Sequence, residues 1–229
     1  FIVPVFVVSL EPAIVVINSI SMLWVDNATT ELAVGLVAKY PFWVSTSLMA
    51  LAPCIVEELA YRGVILGSYR YSSRIWAIVV SGLLFGAMHM NFNQMAYAVI
   101  LGMMLGLLAE VTGSILSTML AHFCFNEISV CLSYFMYHNS SMKTMVESAS
   151  ETAVSKQQLL ITIVGMTPVA IGGLCIAFAL LYALAVLNGR KKEVLDMFRR
   201  HRTYADDGTE IRKPGIISIP LVIAMAVCI

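Results

Sequence analysis

The chain has 229 residues, 59% hydrophobic and 12% charged, with zero formal net charge and a mean hydropathy of +0.86. A water-soluble domain of this size carries about 25% charged residues, so the composition excludes one. No nucleic-acid-binding motif accompanies the basic residues. The expected fold is an all-α, polytopic transmembrane helical bundle, a single membrane-embedded domain over residues 1–229 with six to seven membrane helices. Five cysteines, none in a C-x-x-C pair, lie in apolar surroundings and read as free thiols.

Residues 1–24 are apolar from the start and long enough to span a bilayer. They carry no basic leader, so the numbering is expected to begin inside a longer protein. Glu11-Pro12 predicts a kink or an early break in this run. Residues 26–39 read as a short connection, and Pro41 then opens a second helix reaching toward Tyr71, with a distortion expected at Pro53. A turn at 69–74 leads to a third helix over 75–90. A reversal at 91–93 leads to a fourth over 94–110. The Thr112-Gly113 turn leads to a fifth over 114–137. Residues 138–158 are polar, 159–187 form a sixth helix with bends expected at Pro168 and Gly172-Gly173, and 216–229 are apolar again.

Eight of the 14 Lys and Arg residues fall between Arg190 and Lys213, which marks 189–215 as a basic cytoplasmic loop. Arg62, Arg70 and Arg74 share that side, whereas Lys39, Lys143 and Lys156 take the other.

Three fragments do not fit membrane filler: Glu57-Glu58-x-x-x-Arg62, Phe85-x-x-x-His89 and His122-x-x-x-Asn126. Ionisable groups are costly at bilayer depth and mark functional sites by default. Glu57 and His89 are each 16 residues from Ser73. In an antiparallel hairpin turning there, both sit about 24 Å of helix rise from the turn and can face each other. Glu58 and Arg62 are spaced i, i+4 and can pair along one side of their helix. That leaves Glu57 as the candidate base and the pair as its brace. His122 and Asn126 are also i, i+4. A carboxylate and a histidine polarise a water for attack on an amide. A histidine and an asparagine donate to the oxyanion that develops. Gly82-x-x-x-Gly86 and Gly102-x-x-x-Gly106 are small-xxx-small motifs that admit close helix packing. Glu110 and Glu127 are expected at helix ends or against polar neighbours, with no chemistry assigned.

These motifs, in this order on successive hydrophobic segments, resemble the CAAX protease and bacteriocin-processing (Abi) family of intramembrane endopeptidases. The resemblance covers about 41–133, the expected catalytic core. It implies that Glu57 and His89 activate the attacking water and that His122 and Asn126 form the oxyanion site, with Glu58 and Arg62 supporting. It also implies a peptide or a prenylated, lipid-attached protein as substrate, surrounded by membrane lipid. The expected location is the bacterial cytoplasmic membrane. No cofactor is expected; a zinc ion on Glu57, Glu58, His89 and His122 is the alternative. H-E-x-x-H and Gly-x-Ser-Gly motifs are absent, and the aspartates are Asp26, Asp196, Asp206 and Asp207, all in predicted loops, so other intramembrane protease chemistries do not fit. Two further readings stay open: a peptide-binding immunity or scaffold protein of the same fold, and a proton-coupled transporter. Oligomeric state is not readable from the sequence.

Overall fold

The computed structural model describes residues 1–25, 28–69, 73–139 and 154–197, without the side chains of 28–31. Among the described residues all regular structure is helical. The helices are α1 (Ile2–Ser21), α2 (Ala28–Lys39), α3 (Phe42–Thr46), α4 (Ala52–Glu58), α5 (Leu66–Tyr69), α6 (Arg74–Ala87), α7 (Phe92–Thr112), α8 (Ile115–His138), α9 (Lys156–Leu187) and α10 (Lys191–Met197). Two π-helical segments, Ser47–Leu51 and Leu59–Ile65, join α3 to α4 and α4 to α5. The protein is an all-α membrane protein.

Among the described residues four helices are long and apolar enough to cross a bilayer: α1, α7, α8 and α9. This is fewer than the six to seven expected, for physical reasons. The second expected span is a continuous helical run, Phe42 to Tyr69, but two changes of hydrogen-bond register divide it into short pieces. The third is α6, only 14 residues long. The last apolar stretch, 216–229, lies outside the described residues, as do 198–215 of the expected basic loop.

Other differences from the sequence reading are local. Residues 28–39 form a helix rather than a connection. Ala33, Val34, Leu36 and Val37 are its less exposed positions, on one side of the helix, and Val37 is buried. Lys191–Met197 is helical within the expected loop. α1 continues through Pro12 and α9 through Pro168. Beside Pro12, α1 is supported by α9: a Cβ at Gly173 would fall on the Ser9 carbonyl and reach the Pro12 ring. A neighbouring helix packed this closely lets a membrane helix tolerate a proline.

Helix ends follow local chemistry. Asn91 caps α7, its side-chain oxygen accepting from the backbone N–H of Asn93 and Gln94 at 3.0 and 3.3 Å. Gly113 ends α7 at φ +67, and a Cβ there would meet the Arg190 guanidinium at 2.9 Å. Ser155 and Gln158 form a capping box on α9.

The main core gathers Phe6, Leu10, Leu105, Leu108, Phe125 and Leu181 from α1, α7, α8 and α9. The α6–α7 contact is closer still. A Cβ on Gly82 would lie 3.0 Å from the Val99 carbonyl oxygen, and one on Gly102 would lie 3.0 Å from the Gly82 Cα. In lipid, apolar surface gives no driving force between helices, so backbone approach of this kind holds the pair. At the end of the bundle, Arg190 donates to the Glu110 carbonyl at 2.7 Å and pairs with Glu193 at 2.9 Å. Arg74 reaches Glu193 at 3.5 Å and buried Glu110 at 3.9 Å. These contacts tie α6 and α7 to α9 and α10.

Gly82→Ala should therefore destabilise the protein by about 1–3 kcal/mol, the usual cost of overpacking. Gly165→Ala, on an α9 surface with no neighbouring atom within 4 Å of the new methyl, should be neutral. Reversible unfolding in mixed detergent micelles compares them, and equal stabilities would contradict the close-packed interface.

Candidate active site

Pro53 sets the local geometry of the first motif. A proline lacks the N–H that would close the helical turn before it, and the chain before it runs in π register, Ser47–Leu51. The chain returns to α for Ala52–Glu58 and then enters π register again at Leu59. The two glutamates thus close a short α segment between two π segments, a feature frequent at functional sites. The second π segment holds the Tyr61 carbonyl, which accepts from the buried Ser81 hydroxyl of α6 at 2.9 Å. Tyr61 and Phe85, each twelve residues from Ser73, meet edge to face with ring centroids 5.3 Å apart. The antiparallel register read from the sequence is therefore present in the α5–α6 hairpin.

Glu58 and Arg62 form a buried ion pair at 2.7 Å, with side-chain exposures of 0% and 1%. Arg62 also donates to the Gly102 carbonyl of α7 at 2.8 Å, a contact that a residue without a side chain leaves open. Its guanidinium lies 4.6 Å from the centroid of the Phe85 ring. Arg62 is therefore an interior group and not one of the loop charges with which the sequence reading counted it.

His122 of α8 enters the same cluster. Its Nδ1 is 3.0 Å from Glu58 Oε1, the oxygen that Arg62 also contacts. An oxygen accepting from a guanidinium belongs to an ionised carboxylate, so Nδ1 carries the proton and donates. The other ring nitrogen, Nε2, lies 3.8 Å from Glu57 Oε2, beyond hydrogen-bonding distance. Glu57 Oε2 is buried and makes no hydrogen bond among the described residues. The Glu57 side chain retains 20% exposure, so the two neighbouring glutamates differ. Glu58 is enclosed and held at Oε1, whereas Glu57 is partly open and makes no hydrogen bond at Oε2; Glu58 Oε2 also makes none among the described residues.

The structure brings His89 to the same cluster by another route. Its Nδ1 is 2.8 Å from the Phe85 carbonyl, which orients the ring. The Phe85 side chain contacts His89 and His122 at centroid distances of 5.3 and 5.5 Å. The histidine in direct contact with Glu57 is His122, and His89 is linked to the pair through Phe85. Asn126, one turn along α8 from His122, is half-buried and makes no side-chain hydrogen bond among the described residues.

Sequence reasoning missed the parts played by Ser81 and by the Gly102 carbonyl, because a lone serine and a backbone oxygen leave no pattern. Glu110 and Glu127 stand against polar neighbours as expected: Glu110 near Arg74, and Glu127 accepting from Thr46 at 3.0 Å. Among the described residues no three His, Cys, Asp or Glu side chains are grouped to hold a metal ion. Glu58 and His122 Nδ1 are committed to each other, and His89 Nδ1 to a carbonyl. These Nδ1 contacts leave both Nε2 atoms open, an arrangement that a metal-binding histidine also adopts.

Two outcomes follow. Arg62→Ala, which strands a buried carboxylate, should cost about 3–5 kcal/mol, and adding Glu58→Gln should recover part of it; strictly additive costs would show that the residues do not act as a pair. In 15N spectra of histidine-labelled protein, neutral His122 should be the Nδ1–H tautomer, and a dominant Nε2–H form would contradict the Glu58 contact.

Compared with models of protein families, residues 39–128 match the family described as type II CAAX prenyl endopeptidase Rce1-like. No curated protein and no solved structure matches the chain. The matched segment holds all seven residues of the three motifs, Glu57, Glu58, Arg62, Phe85, His89, His122 and Asn126, and over that segment the chain is similar to this family.

Proposed function

We propose that this protein is an intramembrane endopeptidase of the CAAX-processing type, hydrolysing a peptide bond of a peptide or a prenylated protein. The observation that carries the reading is the contrast between the two adjacent glutamates. Glu58 is fully enclosed with Oε1 held by Arg62 and His122, while Glu57 keeps 20% side-chain exposure beside the same histidine. The match of 39–128 to the Rce1-like family supports the same substrate class. The bacterial cytoplasmic membrane is the proposed location.

In this reading Glu57 is the general base. It takes a proton from water as the oxygen attacks the scissile carbonyl, and His89 orients or shares that proton. The carbonyl oxygen becomes an oxyanion. Asn126 donates to it from its amide. His122 donates from Nε2, which requires the imidazolium form because Nδ1–H is already given to Glu58. The contact with Glu58 fixes the ring plane, so the donor is in place before charge develops. The proton held by Glu57 then passes to the leaving nitrogen as the C–N bond breaks, giving a new carboxylate and an amine. The reaction is proposed to need no metal.

The test is cleavage of a library of hydrophobic and prenylated peptides by purified protein. Glu57→Gln should lower kcat by about 10²–10⁴, the usual contribution of a general base. Asn126→Ala should lower it by about 10²–10³, as for loss of one oxyanion donor. EDTA and phenanthroline should leave the rate unchanged. Full activity in Glu57→Gln would remove the proposed base. Loss on chelation with recovery on adding zinc would restore the metal alternative.

A further inference from the structure

Phe85 is the most connected side chain in the site, although hydrocarbon cannot take part in proton transfer. It is 1% exposed. Around its one ring lie Tyr61 at 5.3 Å, His89 at 5.3 Å and His122 at 5.5 Å between centroids, with interplanar angles of 86°, 72° and 77°. The Arg62 guanidinium lies over the ring at 4.6 Å. Phe85 sits opposite Gly102, where a Cβ would approach the Phe85 ring to 3.1 Å. The ring is therefore fixed against backbone on one side. Its own carbonyl holds His89 Nδ1.

Edge-to-face geometry at these distances is the arrangement that the aromatic quadrupole favours. A cation over the ring face is attracted by the same quadrupole, more strongly when desolvated. Arg62 holds Glu58, and Glu58 holds His122. One ring thus touches both histidines of the site and the cation paired with the supporting carboxylate. A leucine would fill much of the volume but offer neither a face to the guanidinium nor a preferred tilt to the imidazoles.

We propose that Phe85 is a positioning residue, whose ring sets the orientation of His89 and His122 and, through Arg62, of Glu58. It touches no reacting atom. The catalytic part of the inference rests on the peptidase reading above, whereas the positioning of the two imidazoles does not.

The experiment compares the full protein carrying Phe85→Leu with versions carrying 4-fluoro- and 3,4,5-trifluorophenylalanine at position 85. Fluorination weakens the negative ring face in steps at nearly constant shape. Two readouts are taken on each: kcat and KM for a cleaved peptide, and the 15N and 13C ring signals of His89 and His122. Phe178→Leu, on the exposed face of α9, is the control. The expected result is a stepwise fall in kcat with fluorination, reaching about tenfold or more in Phe85→Leu, the size expected when aromatic and cation–π contacts are lost in a dry site. KM of the fluorinated proteins should stay unchanged, their unfolding midpoint should fall slightly as the Arg62 contact weakens, and the histidine signals should shift in the same order. If Phe85→Leu fails to fold, the fluorinated pair decides alone. Fluorinated proteins with wild-type kcat and wild-type histidine signals would overturn the proposal, leaving Phe85 as packing. If the wild-type protein cleaves no peptide, the peptidase reading fails first, and the histidine signals alone still decide whether Phe85 positions the rings.

Discussion

A full charge pair enclosed within a membrane helix bundle is the constraint on which this structure depends. Glu58 and Arg62 have lost nearly all contact with solvent, and the desolvation of two ions is repaid only when geometry is good and remaining donors find partners. The chain meets part of that requirement with one contact from each of three other elements, the Gly102 carbonyl of α7, the His122 ring of α8 and the Phe85 face of α6, while Arg62 Nε and Glu58 Oε2 make no hydrogen bond among the described residues. Any shift of these helices relative to α4 would leave part of the charge uncompensated. The ion pair therefore acts as a register pin for the bundle, and specificity of arrangement is a better account of it than net stability.

The glycines on α6 and α7 serve the same arrangement. Gly82 and Gly102 let the two backbones approach, which brings the Gly102 carbonyl to Arg62 and places Phe85 between the cation and the two histidines. Read as sequence, the two small-xxx-small motifs say only that some helices pack closely. In the structure they determine where a backbone oxygen and an aromatic ring stand relative to a buried cation.

Much of this was legible in the sequence because charge in an apolar run is a strong signal. The Glu58–Arg62 pair follows from i, i+4 spacing, and the depth match of the hairpin from counting to Ser73. The meeting of Tyr61 with Phe85 fits that count. What spacing did not convey is rotation about the helix axis. The i, i+4 relation of His122 and Asn126 places them on one face but does not say that His122 faces the glutamates. Helix boundaries were also hard to read. Residues 26–39 read as a short, mildly acidic connection although Val34, Leu36 and Val37 mark an inward side, and the run 42–69 looked uniform because hydropathy carries no record of hydrogen-bond register.

The two π segments have a geometric consequence for the helix between them. An α-helix advances about 100° per residue, and a π turn holds an additional residue in each hydrogen-bonded loop. Each such segment is equivalent to one residue inserted into a regular helix. Excising a single residue from Ser47–Leu51 would restore α register and turn α3, with its Thr46 contact to Glu127, by about 100° relative to the glutamates. Excising one from Leu59–Ile65 would turn α5 and its packing on α6 by a similar angle. The glutamate turn is thus framed by two phase offsets of the same sense, so its azimuth is set independently of the surfaces that its flanking helices present to their neighbours.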